Sequence, residues 1–228
     1  MYDTRPNLVI GFHGCDLSRR ESLLNNSGPI EKSEKPYDWL GHGVYFWENN
    51  FARAAEWAAD KARRGEIKEP AVIGSVLNLG ICCDLLDSSY INLVSKYYQV
   101  MRRNYEALGK AIPKNRDAKG DPNQDKLIRE LDCAVIELMH EQIFADYEKQ
   151  IKENGGFTNI KLFDSTRGVF TEGGEAFEGS AIQTKNHIQI CVRNLNCIQG
   201  FFLPRADTDF VATLREEYER KETAAGKT

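Results

Sequence analysis

The stretch YDWLGHGVYFWENNFARAAEWA, residues 37 to 58, constrains this chain more than any other. Gly41 and Gly43 bracket a single residue, which reads as a tight turn. Val44 to Trp47 follow as β-branched and aromatic residues, a strand by composition. Asn49 or Asn50 then caps a helix in which Phe51, Ala54, Ala55 and Ala58 recur at helical spacing. Gly65 ends it. Along the strand, Val44 and Phe46 point to one face and Tyr45 and Trp47 to the other. One face is expected to join the core and the other to line a flat slot. The alanines behind let helix and strand approach closely.

The remaining elements alternate irregularly. Leu8 to His13 reads as a short buried strand stopped at Gly14. Asp16 to Asn26 reads as a helix capped by Asp16 or Ser18. Residues 71 to 86 form a long apolar β run interrupted at Gly74 and Gly80. Ser88 to Leu108 is helical, with Ser88 or Ser89 as cap. Residues 109 to 124 read as a mobile, basic-polar loop. Asp125 to Glu153 is the clearest long helix: Leu127, Leu131, Val135 and Leu138 keep helical spacing up to Gly155-Gly156. FDSTRGVF leads into a polar loop. Strands then follow at residues 187 to 194 and 197 to 204, and Asp207 to Lys221 reads as a terminal amphipathic helix with a frayed tail. This order implies an α+β fold without regular βαβ winding.

The chain has 228 residues, which suits one large domain spanning 1–228. Apolar content of 41% is enough to build a core, and a net charge of -4 gives no global pull on nucleic acid. No apolar run approaches the ~20 residues of a membrane helix, and the N-terminus lacks a signal-peptide pattern. The expectation is a cytoplasmic protein with no membrane partner. The six cysteines form no CxxC pair. Buried free thiols are expected in place of a zinc site, and no metal.

Three separated pieces carry chemistry: Phe12-His13-Gly14, then Gly41-His42-Gly43-Val44-Tyr45-Phe46, then Ile188-Gln189-Ile190. A strand ending in His-Gly, a G-x-G-V-Y-F run before an alanine-rich helix, and a late strand with a polar residue at its start resemble the ADP-ribosyltransferase family. The class is the His-Tyr-Glu one, which includes diphtheria toxin and the poly(ADP-ribose) polymerase catalytic domains. The resemblance rests on about 30 residues and does not cover residues 88 to 154, the candidate helical insert.

The resemblance implies a split β-sandwich with surrounding helices and NAD as substrate. Tyr45 would stack on nicotinamide, and the Gly14 backbone would hold its carboxamide. His13 would bond ribose hydroxyls, and Gly43 would line the cofactor site. The family's third position is a glutamate that opposes positive charge on the ribose. Here it falls on Gln189, or on His187 in a shifted register, with Glu175 and Glu178 in the preceding loop as further candidates. That departure argues against polymer synthesis. The implied activity is mono-ADP-ribosyl transfer to a protein, RNA or DNA acceptor, in a bacterial toxin or defence effector with a neutralising antitoxin. The rivals are RNA 2'-phosphotransfer, gripping phosphate through residues such as Arg19, Arg20, Arg167 and Arg193, and a non-catalytic NAD- or ADP-ribose-binding module.

Each residue also has a plainer reading. His13 closing a strand and Tyr45 within one are common structural groups. His42 between two glycines reads as exposed and incidental. Trp39, Phe46, Trp47 and Trp57 read as core or pocket wall. Glu172, Glu175 and Glu178 read as a solvated acidic loop.

Overall fold

The computed structural model describes residues 8–205 and 209–225. In chain order the elements are β1 (Val9–Asp16), α1 (Leu17–Leu24), β2 (Val44–Glu48), α2 (Phe51–Arg63), β3 (Pro70–Leu77), β4 (Cys82–Asp84) and α3 (Ser88–Ala107). They continue with β5 (Asn115–Arg116), β6 (Ile128–Arg129), α4 (Glu130–Glu153), β7 (Ser165–Phe170), β8 (His187–Val192), β9 (Ile198–Phe202) and α5 (Phe210–Ala225). The architecture is α+β: one mixed seven-stranded sheet in the order β4-β7-β8-β2-β1-β3-β9, with helices around it. β4 and β7 run parallel, and the other neighbours are antiparallel.

The seam between β1 and β2 positions the site. β1 pairs with β3 over its whole length, from Val9↔Leu77 to Asp16↔Pro70. It pairs with β2 only at Gly11↔Glu48 and Phe12↔Trp47. The two strands then part. The sheet is continuous, yet its two halves are joined by this short ladder.

Val44 and Phe46 lie in one core cluster with Leu77, Ile190 and Val192. Tyr45 packs on the opposite face with Trp39, Leu40, Phe170 and Cys191. Trp47 packs on Ala54 and Val72, with Trp57 beside it. β2 therefore has apolar neighbours on both faces, as expected of a central strand. All six cysteines are buried and free. No helix among the described residues is long and apolar enough to cross a membrane.

Several boundaries differ from the sequence reading. β1 does not stop at Gly14, because β3 continues to pair with it through Asp16. The apolar run is broken near Gly80 and not at Gly74, where the missing side chain makes room for the Phe202 ring. α3 is capped by Asp87, which accepts from Ser89 N at 2.8 Å, not by either serine. α4 starts at Glu130 and not at Asp125. Gln124 and Lys126 adopt φ of 57° and 49°, outside a helix, and Ile128 and Arg129 pair with β5. The terminal helix runs Phe210–Ala225, while Asp207 and the last three residues lie outside the described residues.

The segment at 109 to 124 is pinned, not loose. Asp117 accepts from Lys126 N at 3.0 Å, and Asp121 accepts from Asn123 N at 3.0 Å and Asp125 N at 2.9 Å. Asp125 in turn accepts from Gly173 N at 2.7 Å, tying this segment to the loop before β8.

Candidate functional site

Strand parity decides what Gly14 presents. Ile10 O accepts from Asn49 N on the β2 side, and Leu17 N donates to Glu69 O on the β3 side. In a regular strand the backbone groups alternate sides. The N–H and C=O of Gly14 therefore face β2. Continuing the β1–β2 register from Phe12↔Trp47 would set Gly14 opposite Tyr45. That pair does not form. His13 Nδ1 instead donates to Tyr45 O at 2.8 Å. An imidazole takes the acceptor that the ladder would have used, and the Gly14 N–H and C=O face β2 without a ladder partner there.

Burial lowers the His13 pKa, so its ring is neutral near pH 7. With Nδ1 protonated toward Tyr45 O, Nε2 remains an acceptor. α2 closes over Gly14 so tightly that a β-carbon there would collide with Ala54 O.

Tyr45 is anchored at its tip. Leu40 N donates to its hydroxyl at 2.9 Å, and the hydroxyl donates to Gly41 O at 2.8 Å. The ring is half-buried against Trp39 and Phe170. Gly43 has a different role from the one expected. Its N–H and C=O both pair with Ser33, at 3.0 and 2.8 Å. A side chain there would strike Val192 O and Cys191 Sγ of β8. Packing on β8 accounts for this glycine, and its backbone is occupied.

Gln189 belongs to a directed chain of neutral groups. Trp39 Nε1, a donor only, gives its proton to Gln189 Oε1 at 2.6 Å. This fixes the amide, whose Nε2 then donates to His187 Nε2 at 3.0 Å. His187 Nδ1 donates to Lys185 O at 2.7 Å. His187 is buried and stacked on Phe170, and burial pushes its pKa down to about 4. Gln189 and His187 thus occupy the same face together, and neither carries charge.

The loop glutamates separate. Glu175 is exposed and accepts from Gly179 N at 2.8 Å, closing its own turn. Glu178 is exposed. Neither is brought to Gln189. Glu172, read from sequence as solvated, is the carboxylate that approaches. It is half-buried, paired with Arg53, and 3.9 Å from His187 Nδ1. Burial raises its pKa against the pull of Arg53. Its proximity arises from the 171 to 186 loop folding back, which residue spacing does not encode.

His42 is not incidental either. Its N–H donates to Glu137 Oε1 at 2.7 Å, its Nδ1 lies 3.4 Å from Glu137 Oε2, and Arg193 bonds both its carbonyl and Glu137. α4 is thereby clamped onto the Gly41–Gly43 turn. The arginines named for phosphate binding all face carboxylates of this chain: Arg19 faces Glu31, Arg20 faces Glu21, Arg167 faces Glu48 and Asp84, and Arg193 faces Glu137.

No protein-family model, curated protein or solved structure matches this chain.

Proposed function

We propose that this chain is a mono-ADP-ribosyltransferase, with the split β-sandwich and helical insert of the family it resembles, that moves ADP-ribose from NAD to a macromolecular acceptor. The observation that carries this reading is the parted β1–β2 seam. His13 has taken the Tyr45 carbonyl, and Gly14 turns one donor and one acceptor into the gap. A primary carboxamide needs that complement, and nicotinamide supplies one on a flat ring suited to the Tyr45 face. His13 Nε2, left as an acceptor, would take a ribose hydroxyl.

In the reaction, the bond between the ribose anomeric carbon and the nicotinamide nitrogen breaks. Its electron pair leaves with neutral nicotinamide, and positive charge develops on the ribose. An acceptor nucleophile then bonds that carbon and loses its proton. Gln189 and His187 can hold a hydroxyl but offer no charge. Glu172 is the carboxylate next to them. The neutral third position fits transfer of a single unit and gives chain growth no activating carboxylate on β8. The same neutrality favours one alternative, a module that binds NAD without turning it over. RNA 2'-phosphotransfer is disfavoured, because the arginines it would use are paired internally.

The test is incubation with NAD labelled in its adenosine half, together with cell protein, RNA or DNA, following free nicotinamide and transferred label. Label on an acceptor with nicotinamide release supports transfer. Silence in both, with NAD still raising the melting temperature, means a binding module. Silence in both with no shift removes NAD from the account.

A further inference from the structure

Beside the Gln189–His187 chain lies a polar cleft of about 370 Å³, lined by the pinned segment before α4 and the loop before β8. That volume sits at the small end of ligand pockets. Its lining sets two carboxylates, Asp125 and Asp132, against two cations, Lys126 and Arg129. Asp125 accepts from Gly173 N at 2.7 Å, and Asp132 accepts from Asn115 Nδ2 at 2.8 Å. The nearby glutamates are also engaged, Glu172 with Arg53 and Glu130 with Arg116. Arg129 donates Nε to Lys126 O at 3.3 Å and lies in the field of Asp132, Glu172 and Asp125, but among the described residues neither it nor Lys126 makes a direct ion pair. The Arg129 guanidinium lies 3.7 Å from the Phe170 ring centroid and 5.0 Å from that of Trp39, the ring that also bonds Gln189. On the other side of the cleft, Gln183 Oε1 is buried with no partner. A buried acceptor without a donor costs stability unless a ligand supplies one.

Lys126, Arg129 and an orphan carbonyl, beside two carboxylates already held by N–H donors, suit a ligand that joins an oxyanion to a hydrogen-bond donor. A nucleotide does so through its phosphate and the N–H groups of its base. The base must be unpaired, since a duplex conceals those donors. An arginine guanidinium also gives a base a flat surface to stack on.

We propose that this cleft binds one nucleotide of a single-stranded polynucleotide, with Arg129 and Lys126 at the phosphate and Gln183 Oε1 at the base, and that this strand is the acceptor. The assignment rests on the transferase reading, and the cleft connects to Gln189 through Arg129 and Trp39.

The experiment is a fluorescence-anisotropy titration of the intact protein with labelled single-stranded RNA and DNA of about twelve nucleotides, within the span such grooves cover. Hairpin duplexes, inorganic phosphate and NAD serve as separate arms. Saturable binding is expected with single strands and not with duplexes. Lys126→Gln is expected to reduce the salt slope by about one. Gln183→Leu, which removes the base contact, is expected to weaken binding ~5- to 10-fold. Lys126 is solvent-exposed and leaves the wall intact, so it tests the cleft even if an Arg129 variant misfolds. No binding at low salt overturns the proposal, as does binding unaffected by both variants. Displacement of the strand by NAD or phosphate at one-to-one competition also overturns it, by assigning the cations to NAD's own diphosphate or to free phosphate. The NAD-induced melting shift of the wild type is measured in parallel. Its loss refutes the transferase reading, whereas a failed oligonucleotide titration beside an intact shift refutes this cleft alone.

Discussion

At the scale of single residues, three polar groups define the site by what they do for one another. His13 occupies a carbonyl, Gly14 is freed as a consequence, and Gln189 is oriented by Trp39. Tyr45 does two things, because its hydroxyl closes the 40–41 turn while its ring packs with Trp39 and Phe170. Tyr45→Ala would therefore damage the fold as well as the site, by about 3–5 kcal/mol on the scale of large-to-small core changes. Tyr45→Phe isolates the hydroxyl. It leaves Leu40 N without its acceptor and Gly41 O with only the Cys191 thiol as donor, and a loss of about 1–3 kcal/mol in urea unfolding is expected. A neutral result would mean that the hydroxyl is not holding the turn. Gln189→Glu tests the direction of the neutral chain. A carboxylate would face the unprotonated Nε2 of His187, so the imidazole must gain a proton to satisfy it. NMR titration is expected to show the His187 pKa raised well above about 4 in the variant. An unchanged value would contradict the proton assignment.

At the scale of elements, the helix–turn contact is the structural surprise. Glu137 of α4 reaches the N–H of His42, and Gly41, at φ 84°, lies against Glu137, Ile136 and Arg193 with no room for a side chain. Gly41→Ala is expected to cost more than ~1–3 kcal/mol, since it adds backbone strain to a clash. A chevron or melting comparison reads this directly, and a change under ~0.5 kcal/mol would contradict the clamp. Much of the element pattern is legible in the sequence: the Gly-x-Gly turn, the two-faced strand Val44–Trp47, the Asn50 cap and the long helix all follow from spacing and side-chain type. The start of that helix is not legible. Leu127 and Ile128 continue its apolar period, but Asp117 and Asp121 hold the preceding backbone in turns, and side-chain-to-backbone bonds of that kind are invisible to periodicity. The same limit hid Glu172, Glu137 and Arg129, whose roles depend on partners from other elements: Arg53 for Glu172, His42 and Arg193 for Glu137, Trp39 and Phe170 for Arg129.

At the scale of the whole molecule, the neutral histidines set a pH dependence. Burial lowers His187 to about 4 and His140 to about 3, both beneath the ordinary 6.5. Between those values and 6.5 the unfolded chain binds protons that the folded chain does not. Stability is thus present above pH 6.5 and is lost as pH falls toward 4, approaching about 3 kcal/mol per pH unit with both groups contributing. The urea midpoint should fall through this window, and His140→Leu should flatten the fall. A midpoint constant from pH 7 to 5 would mean that these rings are charged in the folded state.

The halves of the sheet meet at a seam of two residue pairs, and the functional account depends on what lies just beyond it. The most direct measurement is the amide spectrum of isotopically labelled protein titrated with nicotinamide and then with NAD, following Gly14 N–H. The expected result is a saturable downfield shift of that amide with both ligands, together with changes at Tyr45. A Gly14 amide that stays in place while NAD binds elsewhere, or while nothing binds at all, would contradict the assignment of the opened seam as the nicotinamide site.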